Sequence, residues 1–165
     1  GGGRGRKQKK EEYEYVRHHG SWKDFVANLD IIRKLDHKIS FNMLHFMLNY
    51  DSIFECVDYF KSKGFHDNSF VIGPLYEPAY YNLLNLPEHM IDRVKEKLKN
   101  KLQENPQGYL KNSYENLLYY FSNTPWEKNI KLFFETTKTQ DNRRNIDSRK
   151  VFTKLYKELD ANTLE

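Results

Sequence analysis

The spacing of apolar residues changes repeatedly along this chain, and each change predicts an element boundary. Tyr13 to Arg17 alternates aromatic and polar residues, which predicts a short strand. Ser21 offers an N-cap to a helix running to about Leu35, with Trp22, Phe25, Val26, Leu29 and Ile32 at helical spacing. Ile39 to Leu48 is bulky and apolar on both faces, as in a strand covered from two sides. Ser52 and Glu55 then have capping-box spacing, Ile53, Phe54, Val57 and Phe60 line one face of the helix they open, and Gly64 supplies its left-handed stop. Asn68 to Leu75 reads as a second strand, broken by Gly73 and Pro74.

Beyond this strand the pattern is helical. A tyrosine-rich loop, EPAYYNLLNL, leads to Pro87, which suits the first turn of a helix ending near Glu104. Asn105, Pro106 and Gly108 break that helix, and Tyr114, Leu117, Leu118 and Phe121 mark another. Thr124, Pro125 and Glu127 form a second capping box, opening a helix through Ile130, Phe133 and Phe134. Val151, Phe152, Leu155 and Leu159 share a face of the last helix, capped by Asp147 or Ser148. Strands and helices alternating with short connections imply a parallel sheet. Two or three strands are few for a free-standing one, so the sheet looks incomplete.

Composition narrows the function classes. A compact domain of 165 residues can bury roughly 70% of its unfolded surface, enough for a real core. No run of about 18 apolar residues offers a membrane span. One cysteine permits no internal disulfide and suits a reducing, cytoplasmic setting. The net charge of +4 is misleading, because Arg4, Arg6, Lys7, Lys9 and Lys10 supply five cations in the first ten residues with no acid. The remainder is close to neutral and lacks the basic patch of a nucleic-acid-binding fold, which leaves only the basic tail for such contact. Residues 1 to 12 have no apolar residue and are expected to be mobile.

Few residues have the spacing of a reactive site. His18 and His19 are adjacent and would point apart in an extended chain, while His37, His45, His66 and His89 lack the partner spacing of a zinc site. Cys56 lies within a helix without a basic neighbour in the pattern, which predicts an inert thiol. No catalytic or metal-ligating residue is assigned.

Four stretches read together are more specific: YEYVRHHGSWKDFVANLDII, ISFNMLHFMLNYDSIFECVDYFKSKGF, FVIGPLYEPAYYNLLNLPEHM and KTQDNRRN. Arg17 before Gly20-x-Trp22, Asn49 closing a strand, Gly64 ending a helix, Pro78, Leu86-Pro87 and Asp141-x-x-Arg144 follow in order. In this order the chain, from about Tyr13 to Leu159, resembles the C-terminal half of radical S-adenosylmethionine enzymes, the phage and bacterial type with a helical twitch-like tail.

The resemblance implies an α/β fold: a partial (β/α) barrel of two to four parallel strands over residues 13–108, then a helical extension over 109–165. It implies S-adenosylmethionine and a [4Fe–4S] cluster as the family's cofactors, the cluster held by a Cys-x-x-x-Cys-x-x-Cys loop. This sequence has no such loop, and Cys56 cannot replace three thiolates, so neither cofactor is expected to bind stably to this chain alone. The implied partner is a cluster-bearing N-terminal half, with this chain the downstream piece of a split or truncated gene or a decayed copy. Cofactor-facing positions would be Asn49, Asn42 and Arg17. Each has a structural alternative: Asn49 bonding local backbone at a strand-to-helix turn, Asn42 or His45 as a satisfied core polar residue, and Arg17 in a salt bridge. Asp141 and Arg144 would form a local ion pair that fixes the tail. The alternative function is a non-catalytic protein-interaction domain that uses an exposed sheet edge and the tyrosine-rich loop.

Overall fold

The alternation in Phe41–His45 sends Phe41, Met43 and His45 to one side of a strand and Asn42 and Leu44 to the other, and this division organises the larger of two compact units. A computed structural model of the chain describes residues 2–16, 23, 27–28 and 39–163. The chain divides into a unit spanning Lys38–Phe134 and a second made of Gly1–His37 with Glu135–Glu165. The expected helix from Ser21 to Leu35 lies mostly outside the described residues, as do Arg17, His18 and His19.

In the Lys38–Phe134 unit, β1 (Phe41–His45) pairs in parallel with β2 (Phe70–Pro74), with Phe41 opposite Phe70 and His45 opposite Pro74. Helix α2 (Ser52–Ser62) connects them, and two longer helices, α3 (Glu88–Gln103) and α4 (Gly108–Asn123), follow. Helices beside a parallel pair make the unit α/β, with a two-stranded sheet among the described residues. Its core is aromatic. Phe41 stacks on Phe60 at 4.5 Å and on Phe70 at 5.6 Å, and meets Phe65 edge-on at 4.8 Å. The buried face of α2 is the predicted one, Ile53, Phe54, Val57 and Phe60. Gly64 takes φ +97°, the left-handed stop that the sequence called for.

Several boundaries differ from expectation. The strand expected from Ile39 to Leu48 ends at His45, and Met47–Asn49 forms a 3-10 turn. Ser52 is the first residue of α2 rather than its cap, while the Asp51 carboxylate at the cap position pairs with Lys97 at 3.1 Å. Gly73 and Pro74 do not break β2 but lie in register opposite Leu44 and His45. Pro87 precedes α3 and accepts from the Met90 and Ile91 amides. Thr124 to Glu127 opens no helix: α5 runs Ile130–Arg144, and Asn129 Oδ1 accepts from the Leu132 amide at 3.0 Å.

Asn68, expected to begin the second strand, and Asp67 just before it turn out to cap α4. Asp67 Oδ2 accepts from the Gln107 amide at 2.8 Å, and Asn68 Oδ1 accepts from the Tyr109 amide at 3.0 Å. Burial pushes the Asp67 carboxyl up, but that amide and the Lys61 ammonium at 2.9 Å outweigh it and hold it below its ordinary value. Between these two bonds sits Gly108 at φ +53°, where an added Cβ would lie 1.6 Å from Asn68 Oδ1.

In the other unit, α1 (Gly2–Val16) replaces the strand expected at Tyr13 to Arg17 and takes in the segment expected to be mobile. The Lys-Gln-Glu run from Lys7 to Glu12 has good helix propensity, and Tyr15 finds its partners in tertiary contacts rather than across a strand. The expected last helix is split at Phe152 into α6 (Ser148–Val151) and α7 (Thr153–Thr163). Asp147 caps α6 by accepting from the Arg149 amide.

Replacing Gly108 by Ala forces Asn68 off the Tyr109 amide and strains the backbone, so G108A is expected to lose about 2 kcal/mol of stability. In an N68A background the same substitution costs only its strain, about 1 kcal/mol. Urea unfolding of the wild type, G108A, N68A and the double variant measures both.

Candidate functional site

Parallel strands expose alternate backbone groups along an edge, and β1 closes its edge with a side chain. Leu44 and Phe46 direct their polar groups away from β2, since the intervening His45 carbonyl accepts from the Leu75 amide at 3.2 Å. Asn49 Nδ2 donates to the Leu44 carbonyl at 2.8 Å, and the Phe46 amide donates to Asn49 Oδ1 at 2.9 Å. One carboxamide thus makes the two bonds that a residue of a third parallel strand would make with Leu44 and Phe46. This is the local backbone role weighed for Asn49.

His45 lies one residue along, fully buried at 0% exposure. Its Nε2 bonds the Tyr50 carbonyl at 2.9 Å, and only a donating N–H satisfies that oxygen. The edges of Phe54 and Phe121 enclose the ring at 5.6 and 5.3 Å. Burial drives its pKa down to about 4, against the raising influence of the Tyr50 carbonyl and of Asp51.

Asn42 lies on the opposite face of β1, in register with Val71 and exposed. The same face carries Leu44, 52% exposed, and Val71, 39% exposed. Asn42 and Asn49 therefore belong to one strand and its end, while Arg17 falls outside the described residues. Cys56 lies in α2, and no group of three or more His, Cys, Asp or Glu side chains among the described residues could hold a metal ion. With a single cysteine the donor set does not fit a [4Fe–4S] cluster.

The tyrosine-rich loop is mostly packed. Tyr81 meets Phe46 at 5.6 Å and Phe133 at 6.3 Å, while Tyr76, 61% exposed, rests edge-on against Tyr120 at 5.2 Å. Two buried asparagines missed in the sequence hold this loop. Asn82 donates to the Tyr120 hydroxyl at 3.0 Å and accepts from the Leu84 amide. Asn85 donates to the Ala79 carbonyl and accepts from Trp126 Nε1 at 2.7 Å and the Asn129 amide at 3.0 Å. Lys128 Nζ donates to the Leu84 and Leu86 carbonyls and pairs with Glu88. Asparagines set among leucines in NLLN were the available signal, because a polar amide between buried neighbours must find partners.

Asp141 and Arg144 serve the other unit in a way the spacing did not disclose. Rather than pairing with Arg144, Asp141 accepts from the Tyr15 hydroxyl at 2.7 Å and from the Ser148 amide at 2.8 Å. Arg144 donates to the Tyr15 carbonyl at 3.4 Å, and the Tyr15 ring meets Phe152 edge-on at 5.1 Å. Ser148 Oγ shares a hydrogen bond with the Tyr156 hydroxyl at 2.7 Å. The tail is fixed, as expected, but through Tyr15.

No protein-family model matches the chain, and no curated protein or solved structure matches it. No helix among the described residues is long and apolar enough to cross a membrane.

Asp141→Ala removes an acceptor from both Tyr15 and Ser148 and is expected to cost about 3 kcal/mol, against about 1 kcal/mol for Tyr15→Phe. Asn49→Ala is expected to cost about 1 kcal/mol and to speed amide exchange at Phe46. Denaturant titration and hydrogen exchange check these values.

Proposed function

We propose that this chain is the C-terminal portion of a radical S-adenosylmethionine-like protein, an α/β module that helps enclose S-adenosylmethionine and substrate when paired with a cluster-bearing half. The observation that carries this reading is the division of the sheet. Phe41, Met43, His45, Phe70 and Ile72 face the helices, and Asn42, Leu44 and Val71 face away with no element over them among the described residues. In a (β/α) barrel one set of strand residues meets the helices and the alternate set fills the interior, with functional groups at the C-terminal strand ends. On this reading Asn42 faces the interior, and Asn49, whose carboxamide already bonds the backbone of Leu44 and Phe46, stands at the mouth of β1. The cluster's thiolates come from the other half, since this chain does not supply them.

A second reading has its own observation. Tyr76 and Tyr119 are 61% and 71% exposed, and large aromatic side chains left in water favour association with a protein partner. The domain would then be a non-catalytic interaction module that meets its partner through Tyr76, just ahead of the tyrosine-rich loop, and Tyr119 of α4.

One set of variants separates the readings. The chain is co-expressed with a polypeptide bearing Cys-x-x-x-Cys-x-x-Cys encoded beside it, and the mixture is reconstituted anaerobically with iron and sulfide. The expected result is a co-eluting brown complex that Leu44→Glu with Val71→Glu abolishes, while Tyr76→Ala with Tyr119→Ala leaves it intact. The absence of a cysteine-bearing reading frame, or indifference of the complex to the Leu44 and Val71 changes, would sink the barrel reading. Loss of association only in the tyrosine variant would support the second.

A further inference from the structure

His45 joins the end of β1 to the start of α2 through one hydrogen bond, and its second ring nitrogen has none. Nδ1 is buried without a hydrogen-bond partner, beside the rings of Phe54 and Phe121. A neutral imidazole tolerates this, because an unmet lone pair costs far less than an unmet N–H on a cation. A protonated ring would present a donor at Nδ1 where the walls are aromatic.

We propose that His45 is an acid-sensitive latch: while neutral it holds the corner between β1 and α2 closed, and protonation expels it and opens that corner. The groups facing the ring from each packed element leave the latch with His45. From the start of α2 the charged neighbour is Asp51, which is engaged by Lys97 at 3.1 Å. From α4 come Phe121 and, beyond Phe54, the Tyr114 phenol, whose pKa burial raises further from the acid range. From β2 the facing residues are Ile72 and Pro74, neither of which titrates. Asn49 bonds the residues on either side of His45, so an opened corner also loosens the closed edge of β1.

The direction follows from linkage. The unfolded chain protonates His45 near 6.5, the folded chain only near 4. Stability from this site is complete above 6.5 and is lost as pH falls toward 4, about tenfold in the folding equilibrium per pH unit.

The test is urea unfolding of the whole chain at pH 7.5, 6.5, 5.5 and 4.5, for wild type and His45→Phe, together with the ring chemical shifts of His45 assigned through the backbone. Between pH 6.5 and 4.5 the wild type should lose about fortyfold more of its folding equilibrium than the variant. The native ring should hold its neutral shifts from pH 7.5 to 5.5 and begin to titrate only below that. Parallel pH profiles for the two proteins would overturn the latch. So would a native His45 that titrates near 6.5 with the fold unchanged, a measurement that needs no variant to fold.

Discussion

The parallel pairing of β1 with β2 depends on α4 lying across β2. A two-stranded parallel sheet has two open edges and two faces, and α4 closes part of one edge, that of β2, and packs on one face. The Ile72 amide, which points away from β1, donates to Ser113 Oγ of α4 at 2.9 Å, so a helix side chain satisfies β2's outer edge. Leu110, Tyr114, Leu117 and Phe121 are buried on the same helix. The helix is in turn fixed at its start by Asp67 and Asn68, two residues ahead of β2 in the chain. Strand and helix thus position each other, the turn before the strand capping the helix and the helix closing the strand.

What could be read in the sequence was what local chemistry decides. Ile53, Phe54, Val57 and Phe60 have a spacing that buries one face whatever lies opposite, and Gly64 stops that helix because it alone takes the left-handed conformation cheaply. The parallel pairing was legible for the same reason, since a helix between two strands leaves few other topologies. Two of the failures lie where a distant residue decides. Ser52 and Glu55 have the spacing of a capping box, yet the chain enters the helix one residue earlier, with Asp51 drawn to Lys97 forty-six positions away. Asn68 looked like the start of a strand because nothing near it in sequence shows that its amide partner is Tyr109.

The candidate site divides along the same line. That Asn49 stands at a strand end was visible from Asn-Tyr-Asp following an apolar run, and a local backbone role was foreseeable because asparagine at such a turn bonds nearby peptide groups. That it imitates a strand residue was not, since this requires knowing which groups of β1 face outward. Asp141 and Arg144 were visible as a pair three apart, a spacing that suggests mutual attraction on a helix. Tyr15 changed the outcome: a buried phenol needs an acceptor and its carbonyl, at the end of α1, needs a donor. The two residues serve that one tyrosine from opposite ends.

The end of β1 uses neutral groups throughout. Asn49 closes the outer edge with a carboxamide, and His45 holds the inner side with a neutral imidazole between two aromatic rings. A carboxylate at position 49 would repel the Leu44 carbonyl, and a cation at position 45 would sit against Phe54 and Phe121 without solvent to stabilise it. Neutral groups let the strand finish in a corner that is apolar on the side of α2 and α4 while Asn42 and Leu44 face outward. The corner can therefore stay dry on one side and open on the other, the arrangement a sheet needs if it is to meet a second layer without losing its own core. Protonation of His45 would cost this corner its stability before the aromatic cluster around Phe41 is affected, because that cluster contains no titrating group.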